Sequence, residues 1–319
     1  MTPAATATAV VETQGLTKRF GAIEAVVDLD LGVQAGEVFG FLGPNGAGKT
    51  TTTRLLLDAI RPTAGSASVL GGTAADPEIR RRIGVLPADL HFDARLTGHD
   101  LFRYLADLRG GLPAHAVDRL CERFALDPGR RIDELSTGNR RKVGIVAAFA
   151  HHPELLVLDE PTSGLDPIMQ EEFHDLVRER NADGAAIFLS SHLLPEVQEM
   201  AGRVGLIRDG RLIAVKTVAD LLRQRLQHLE IELPDTPPAG AFAGVPGVVD
   251  AAVTGKVVLL SVEGPVHPAL ARAAELRAER LTSRQPDLEA VFLDIYRPGD
   301  GEGGRPADGL AAGEADDPA

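Results

Sequence analysis

Gly43-Pro44-Asn45-Gly46-Ala47-Gly48-Lys49-Thr50, with Thr51 behind it, holds three glycines and a lysine directly after the last of them. An apolar run at 38–42 feeds this segment and a helix-forming run at 51–60 leaves it. Strand, glycine-rich loop and helix in that order form the context a P-loop requires, and they argue against a chance match of the fixed positions. Small residues let the backbone curl so that successive amides point inward and the positive end of the new helix faces an anion. Lys49 is then expected to reach the β- and γ-phosphates of a nucleotide, and the Thr50 hydroxyl to face Mg²⁺.

Working outward, 319 residues allow one large domain and a smaller one, and 44% hydrophobic content can build a core. The net charge of −13 argues against a nucleic-acid partner held by bulk electrostatics, because a phosphate backbone needs a basic face. The single cysteine, Cys121, excludes an internal disulfide framework and suits a reducing compartment. It falls on an apolar helical stripe and is expected to be a buried small hydrophobe. Residues 1–10 carry no Lys or Arg and no long apolar core, unlike a signal peptide. No run of about eighteen apolar residues is present to span a bilayer.

Upstream of the loop, residues 10–33 are expected to be strands, with Ala25, Val27, Leu29, Leu31 and Val33 alternating against polar residues as in a half-exposed antiparallel sheet. Downstream, a short strand is expected at 68–70 and another ending at Pro87. Thr97, with Asp100 three residues on, can cap a helix carrying Leu101, Phe102 and Leu105, and Pro113 is expected to open the next. Leu155-Leu156-Val157-Leu158 is wholly apolar, as in a parallel strand buried on both faces, and ends in Asp159-Glu160. A helix at 169–180 and a second buried strand at 185–189 follow, the strand ending in Ser190-Ser191-His192. Asp209-Gly210 is a hairpin signal. Strands alternating with helices beside a P-loop give an α/β fold.

Beyond residue 217 the composition changes. A helix at 218–227, strands at 228–233, 248–253 and 256–262, and helices at 268–281 and 287–296 are expected to make a small α+β domain. Residues 298–319, rich in Gly, Pro, Asp and Glu, are expected to be a disordered acidic tail, and 1–9 a flexible N-terminus.

The order and spacing of the P-loop, Leu135-Ser136-Thr137-Gly138-Asn139, Asp159-Glu160, Leu165-Asp166-Pro167 and His192 across residues 10–215 resemble the ATP-binding subunits of ABC transporters. The fold this resemblance implies is a P-loop NTPase of ABC type, at 10–217, with an antiparallel subsheet and a helical insert at about 88–150. The smaller α+β domain would then occupy 218–297. The resemblance also implies that Asp159 holds Mg²⁺ and Glu160 acts as general base on the attacking water, with His192 contacting the γ-phosphate. Phe20 would stack on adenine, and Asp166 would lie in the loop joining two halves of a dimer. Ser136 and Gly138 would touch the ATP bound by the opposite subunit, so the chain would work as a homodimer.

The implied partner is a separate polytopic membrane permease, which would hold the chain on the inner face of a bacterial membrane. The alternative is a soluble ABC ATPase acting on ribosomes or nucleic-acid machinery, a class that usually carries two such domains in one chain. Two departures from the family pattern stand out. Ala88 occupies the position where a Gln is usual, and Thr137 and Asn139 replace the commoner Gly and Gln of the signature. The carboxyl-terminal part, with Pro286-Asp287-Leu288-Glu289-Ala290-Val291-Phe292-Leu293, resembles ATPases that serve bacterial drug and antibiotic exporters.

Overall fold

The computed structural model describes residues 9–113, 115–223, 226–238 and 240–284. The expected helix at 287–296, the tail at 298–319 and residues 1–8 lie outside them. The chain opens with two long antiparallel strands, β1 (Ala9–Phe20) and β2 (Ile23–Gln34). Leu29, Leu31 and Val33 are buried and Asp28 and Asp30 exposed, as the alternation requires. Val26 and Val27 are both buried, which strict alternation forbids. The register slips from Leu16↔Leu29 to Lys18↔Val26 beside Asp28, whose φ of 49° marks a bulge.

The P-loop is flanked by β3 (Val38–Leu42) and α1 (Lys49–Leu56). This helix starts two residues earlier and ends four earlier than expected, the chain turning at Asp58 with φ 50°. β4 (Ala64–Val69) returns to pair with β1, completing a three-stranded antiparallel sheet. A short helix α2 (Pro77–Arg81), capped by Asp76, leads into β5 (Ile83–Leu86).

The helical region follows. Thr97 and Asp100 form a reciprocal capping box on α3 (Gly98–Arg109). The next helix, α4 (Ala116–Arg123), begins at Ala116 rather than Pro113, because His115 is left-handed at φ 57° and breaks the helical run. Cys121 is buried here, and burial pushes its thiol up to about 11, which keeps it an unreactive packing group. The long helix α5 (Thr137–Phe149) joins this region to the sheet. Its Val143 and Val146 pack with Leu101, Phe102 and Cys121, while its Ile145, Ala148 and Phe149 pack on the sheet.

β6 (Leu155–Asp159), α6 (Pro167–Ala182), β7 (Ala186–Ser191), α7 (Leu194–Met200), β8 (Arg203–Arg208) and β9 (Arg211–Thr217) complete the main sheet. Its order is β5-β6-β7-β3-β8-β9, parallel except for β9, which pairs with β8 across the Asp209-Gly210 turn. Every residue of β3, β6 and β7 is buried. Alternate side chains serve opposite faces. Leu42, Leu156, Leu158, Ile187 and Leu189 pack with α5, α6 and α7. Phe39, Phe41, Leu155, Val157 and Phe188 pack with the antiparallel sheet and α1.

The remaining described residues hold α8 (Val218–Arg223), β10 (Leu226–Glu232), β11 (Val248–Thr254), β12 (Val257–Glu263), α9 (His267–Glu275) and β13 (Arg280–Arg284). They form a four-stranded antiparallel sheet of order β11-β12-β10-β13, with Ile231, Val258 and Leu260 packed against Ala269 and Ala273 of α9. Two expectations fail. The helix expected at 218–227 stops at Arg223, since Gln227 already pairs with Val262. The helix expected at 268–281 stops at Glu275. Arg277 turns left-handed at φ 58°, and 280–284 pair with β10, taking an edge that would otherwise leave its amides unpaired.

Candidate functional site

Three neighbouring strands, β6, β7 and β3, deliver their carboxyl ends to one place. Chain segments that follow parallel strands collect there, which is where α/β sheets bind ligands. The P-loop leaves β3, Glu160 directly follows β6, and His192 directly follows β7.

The loop holds its curl through close backbone packing. Gly43 N–H faces Ser191 O at 3.4 Å, and Gly210 N–H donates to Ala47 O at 3.0 Å. The hairpin turn of β8 and β9 thus props the loop from behind. Gly48 has φ 107°, and a Cβ there would lie 2.5 Å from Ala25 O, so the position accepts glycine alone. The helix begins at the next residue, with no acidic side chain in its first turn to compete for its amides.

Lys49 is 5% exposed. Its Nζ donates to Gly43 O at 2.7 Å and Pro44 O at 3.2 Å, and lies 3.4 Å from Glu160 Oε1. The other carboxylate oxygen, Glu160 Oε2, is 2.6 Å from His192 Nδ1. Glu160 itself is left-handed, with φ 48°. A non-glycine residue persists in that region only where its surroundings over-determine it. Here Glu160 N–H donates to Ser190 O at 2.9 Å and its carbonyl accepts from Ser163 N–H at 3.2 Å. Asp159, 1% exposed at the end of β6, accepts a hydrogen bond from Ser190 Oγ.

Asn45, Gly46, Gly48, Lys49, Thr50, Thr51, Glu160 and His192 border one cleft of about 440 Å³. Ile23, Glu24 and Ala25 of β2, Ala88 and Asp89 after β5, and Ser163 complete its wall. Other residues singled out in the sequence lie elsewhere. Phe20 is 48% exposed with Lys18 Nζ 4.9 Å from its ring centroid, and reaches the cleft only through its strand partner Ile23. Ser136 caps α5, accepting from Asn139 N–H at 3.2 Å, and Asp166 caps α6, accepting from Met169 N–H at 3.0 Å. Gly138 sits against the loop before α6, where an added Cβ would meet Gly164 O at 2.7 Å. Ser136 and Asp166 are exposed, and neither they nor Gly138 border the cleft of their own chain.

Two buried residues were missed in the sequence. Glu196 on α7 accepts from Thr162 Oγ1 at 2.7 Å and Ser191 Oγ at 2.6 Å, tying the segment after β6 to the end of β7. Burial raises its carboxyl above the ordinary 4.5. Arg141 on α5 is 3% exposed and donates to backbone carbonyls on both sides of the site. Burial pulls its guanidinium below the usual value, against the pull of nearby carboxylates, Asp159 first. In sequence Arg140-Arg141-Lys142 is an ordinary charge run, and only the packing of α5 singles out its middle member.

Comparison with known proteins agrees with this geometry. Residues 26–163 match the ABC transporter family profile. The bacitracin transport ATP-binding protein BcrA of Bacillus licheniformis is 38% identical over 234 residues, 71% of this chain and 76% of that protein. The daunorubicin/doxorubicin resistance ATP-binding protein DrrA of Streptomyces peucetius is 34% identical over 328 residues, 97% of this chain and 96% of that protein. A solved ATP-binding subunit of an ABC transporter is 30% identical, with a TM-score of 0.63 over 67% of this chain and 92% of that one. With a P-loop, a strand-end carboxylate and a strand-end histidine converging on one cleft, and with relatives matched along most of their length, the chain belongs to the ABC transporter family as one of its ATP-binding ATPase subunits.

Proposed function

We propose that this ATPase uses MgATP to close a homodimer and so power export of an antibiotic-like or lipid-like molecule through a separate polytopic membrane permease. One observation carries the catalytic half of this reading: the Glu160 carboxylate lies between Lys49 Nζ and His192 Nδ1 at the mouth of the P-loop cleft. Lys49 and the first-turn amides of α1 hold the β- and γ-phosphates. Glu160 takes the proton of the attacking water, and His192 orients that carboxylate and contacts the γ-phosphate. Phe20 offers an exposed π face for adenine.

Thr50 and Asp159 would hold Mg²⁺, since a hydroxyl and a carboxylate steadied by Ser190 are hard oxygen donors that suit it. When bound, the ion draws charge from the phosphate oxygens.

The dimer is supported by what stays outside the cleft. Ser136 and Asp166 are exposed beyond the chain's own site, and Ile168, beside Asp166, is 72% exposed. A second copy of the chain would cover these groups and receive Ser136 and Gly138 at its nucleotide. Among the described residues no helix is long and apolar enough to cross a membrane, and in this reading the membrane step belongs to the permease. Tyr104 and Leu108 of α3, 58% and 54% exposed, offer apolar surface to it. Antibiotic export is supported by two relatives, one named for bacitracin transport and the other for daunorubicin/doxorubicin resistance. We further assign 10–217 to the nucleotide-binding unit and 218–297 to an accessory unit, supported by a hydrophobic cluster confined to residues 229–273 among its buried members.

The test is an affinity capture of tagged Glu160→Gln protein from detergent-solubilised bacteria in MgATP. Recovery of a polytopic membrane protein supports the reading. Recovery of ribosomal or DNA-repair components, with the protein absent from membranes, overturns it.

A further inference from the structure

A guanidinium carries five N–H donors in a rigid planar fork. In Arg141 the fork meets five backbone carbonyls: Nε with Pro161 O at 2.9 Å, Nη1 with Pro87 O at 2.7 Å and Ala88 O at 3.0 Å, and Nη2 with Asp159 O at 2.7 Å and with Glu160 O. Three of these carbonyls belong to the last residue of β6 and the turn that follows it, and two to the segment after β5. That second segment borders the cleft through Ala88 and Asp89. The methyl group of Ala88 has no polar atom with which to reach Glu160, so any polar link from Ala88 must pass through its backbone.

We propose that Arg141 is a positioning residue that fastens the segment at 87–89 to the turn carrying Glu160, so that a displacement of one moves the other. Three features support this role. The fork grips the carbonyls of Asp159 and Glu160, which belong to the two peptide groups flanking the left-handed Glu160. It stands on the helix whose first residues, Thr137 and Gly138, pack against Gly164 in the loop before α6, so nucleotide and partner contacts at that end would reach the same fork. At 3% exposed it is too deeply buried to serve as an ordinary surface charge. The inference rests on Glu160 acting as the base.

A lysine at this position keeps the charge but offers three donors around a point, and it cannot span both segments in one plane. Steady-state hydrolysis, affinity for a non-hydrolysable ATP analogue, thermal unfolding and amide exchange are compared for the full chain, Arg141→Lys, Arg141→Gln and Glu160→Gln. With Glu160 misplaced by about 1 Å, kcat should fall about 10²-fold while analogue affinity stays within about threefold. In the wild type, analogue binding should change exchange at both 86–90 and 159–163, and in Arg141→Lys only at 159–163. Either Arg141 variant hydrolysing ATP with wild-type kcat while Glu160→Gln is inactive overturns the inference alone. So does a loss that merely tracks the unfolded fraction. Wild-type turnover in Glu160→Gln overturns the reading of the base, and this inference with it.

Discussion

Replacing Glu160 by Gln keeps the volume of the side chain and removes its charge and its basicity. The carboxylate lies 3.4 Å from Lys49 Nζ in a site where that lysine is 5% exposed. At an effective dielectric constant of about 20, a pair at that separation has a gross attraction of about 5 kcal/mol. Removing the carboxylate leaves the ammonium short of a counter-charge, and the nucleotide phosphates can supply one. Analogue affinity should therefore be retained or increased. Hydrolysis has no such compensation. A positioned general base contributes about 10²- to 10⁴-fold, equivalent to about 2.7–5.5 kcal/mol of barrier, and the amide cannot take the proton. Single-turnover hydrolysis beside an analogue titration separates the two effects. Turnover within about threefold of wild type would show that another group handles the water. A parallel loss of nucleotide affinity would show instead that Glu160 acts by keeping the loop in shape.

Three further perturbations test the rest of the site and its scaffold. Lys49→Ala removes a charged donor to phosphate and should weaken MgATP binding about tenfold or more in a calorimetric titration, with unchanged affinity refuting the P-loop assignment. Gly138→Ala sets a gain of about 1 kcal/mol in helix propensity against a Cβ 2.7 Å from Gly164 O, an overpacking cost of about 1–3 kcal/mol. The backbone contact should win and lower both Tm and kcat, and a raised Tm would show that the loop yields freely. His151 is drawn from 6.5 down to about 4, first by burial and then by Arg109. The native state then binds fewer protons than the unfolded chain, so stability is complete above pH 6.5 and falls by up to about 3 kcal/mol as pH drops towards 4. His151→Gln should flatten that part of a denaturant-measured stability profile, and an unchanged slope would exclude His151 as its source.

The P-loop and the buried strands were legible because their constraints are local. A loop that must wrap a phosphate needs glycine at Gly48 whatever surrounds it, and a strand buried on both faces must be apolar along its whole length, as β3 and most of β6 are. The P-loop and the hairpin at Asp209-Gly210 follow from rules that act over a few residues, whereas Asp159 and Glu160 were singled out by the resemblance to ABC ATP-binding subunits. Helix ends were less legible. Where α9 stops depends on Arg277 adopting a left-handed turn and on the free edge of β10, a strand about fifty residues earlier in the chain.

Sequence alone therefore determined which residue types could cradle a phosphate, where the buried parallel strands run, and that the chain alternates between strand and helix. The tertiary structure decided which of those pieces meet. Sequence separation says nothing about strand order, and it is the order β6-β7-β3 that brings Glu160 and His192 to Lys49. The same holds for Arg141. Its five carbonyl partners come from two stretches of chain, 87–88 and 159–161, that are adjacent only once α5 is packed across the ends of β5 and β6. A buried guanidinium is tolerable only when every donor is met, and that condition is written in the packing rather than in the local sequence.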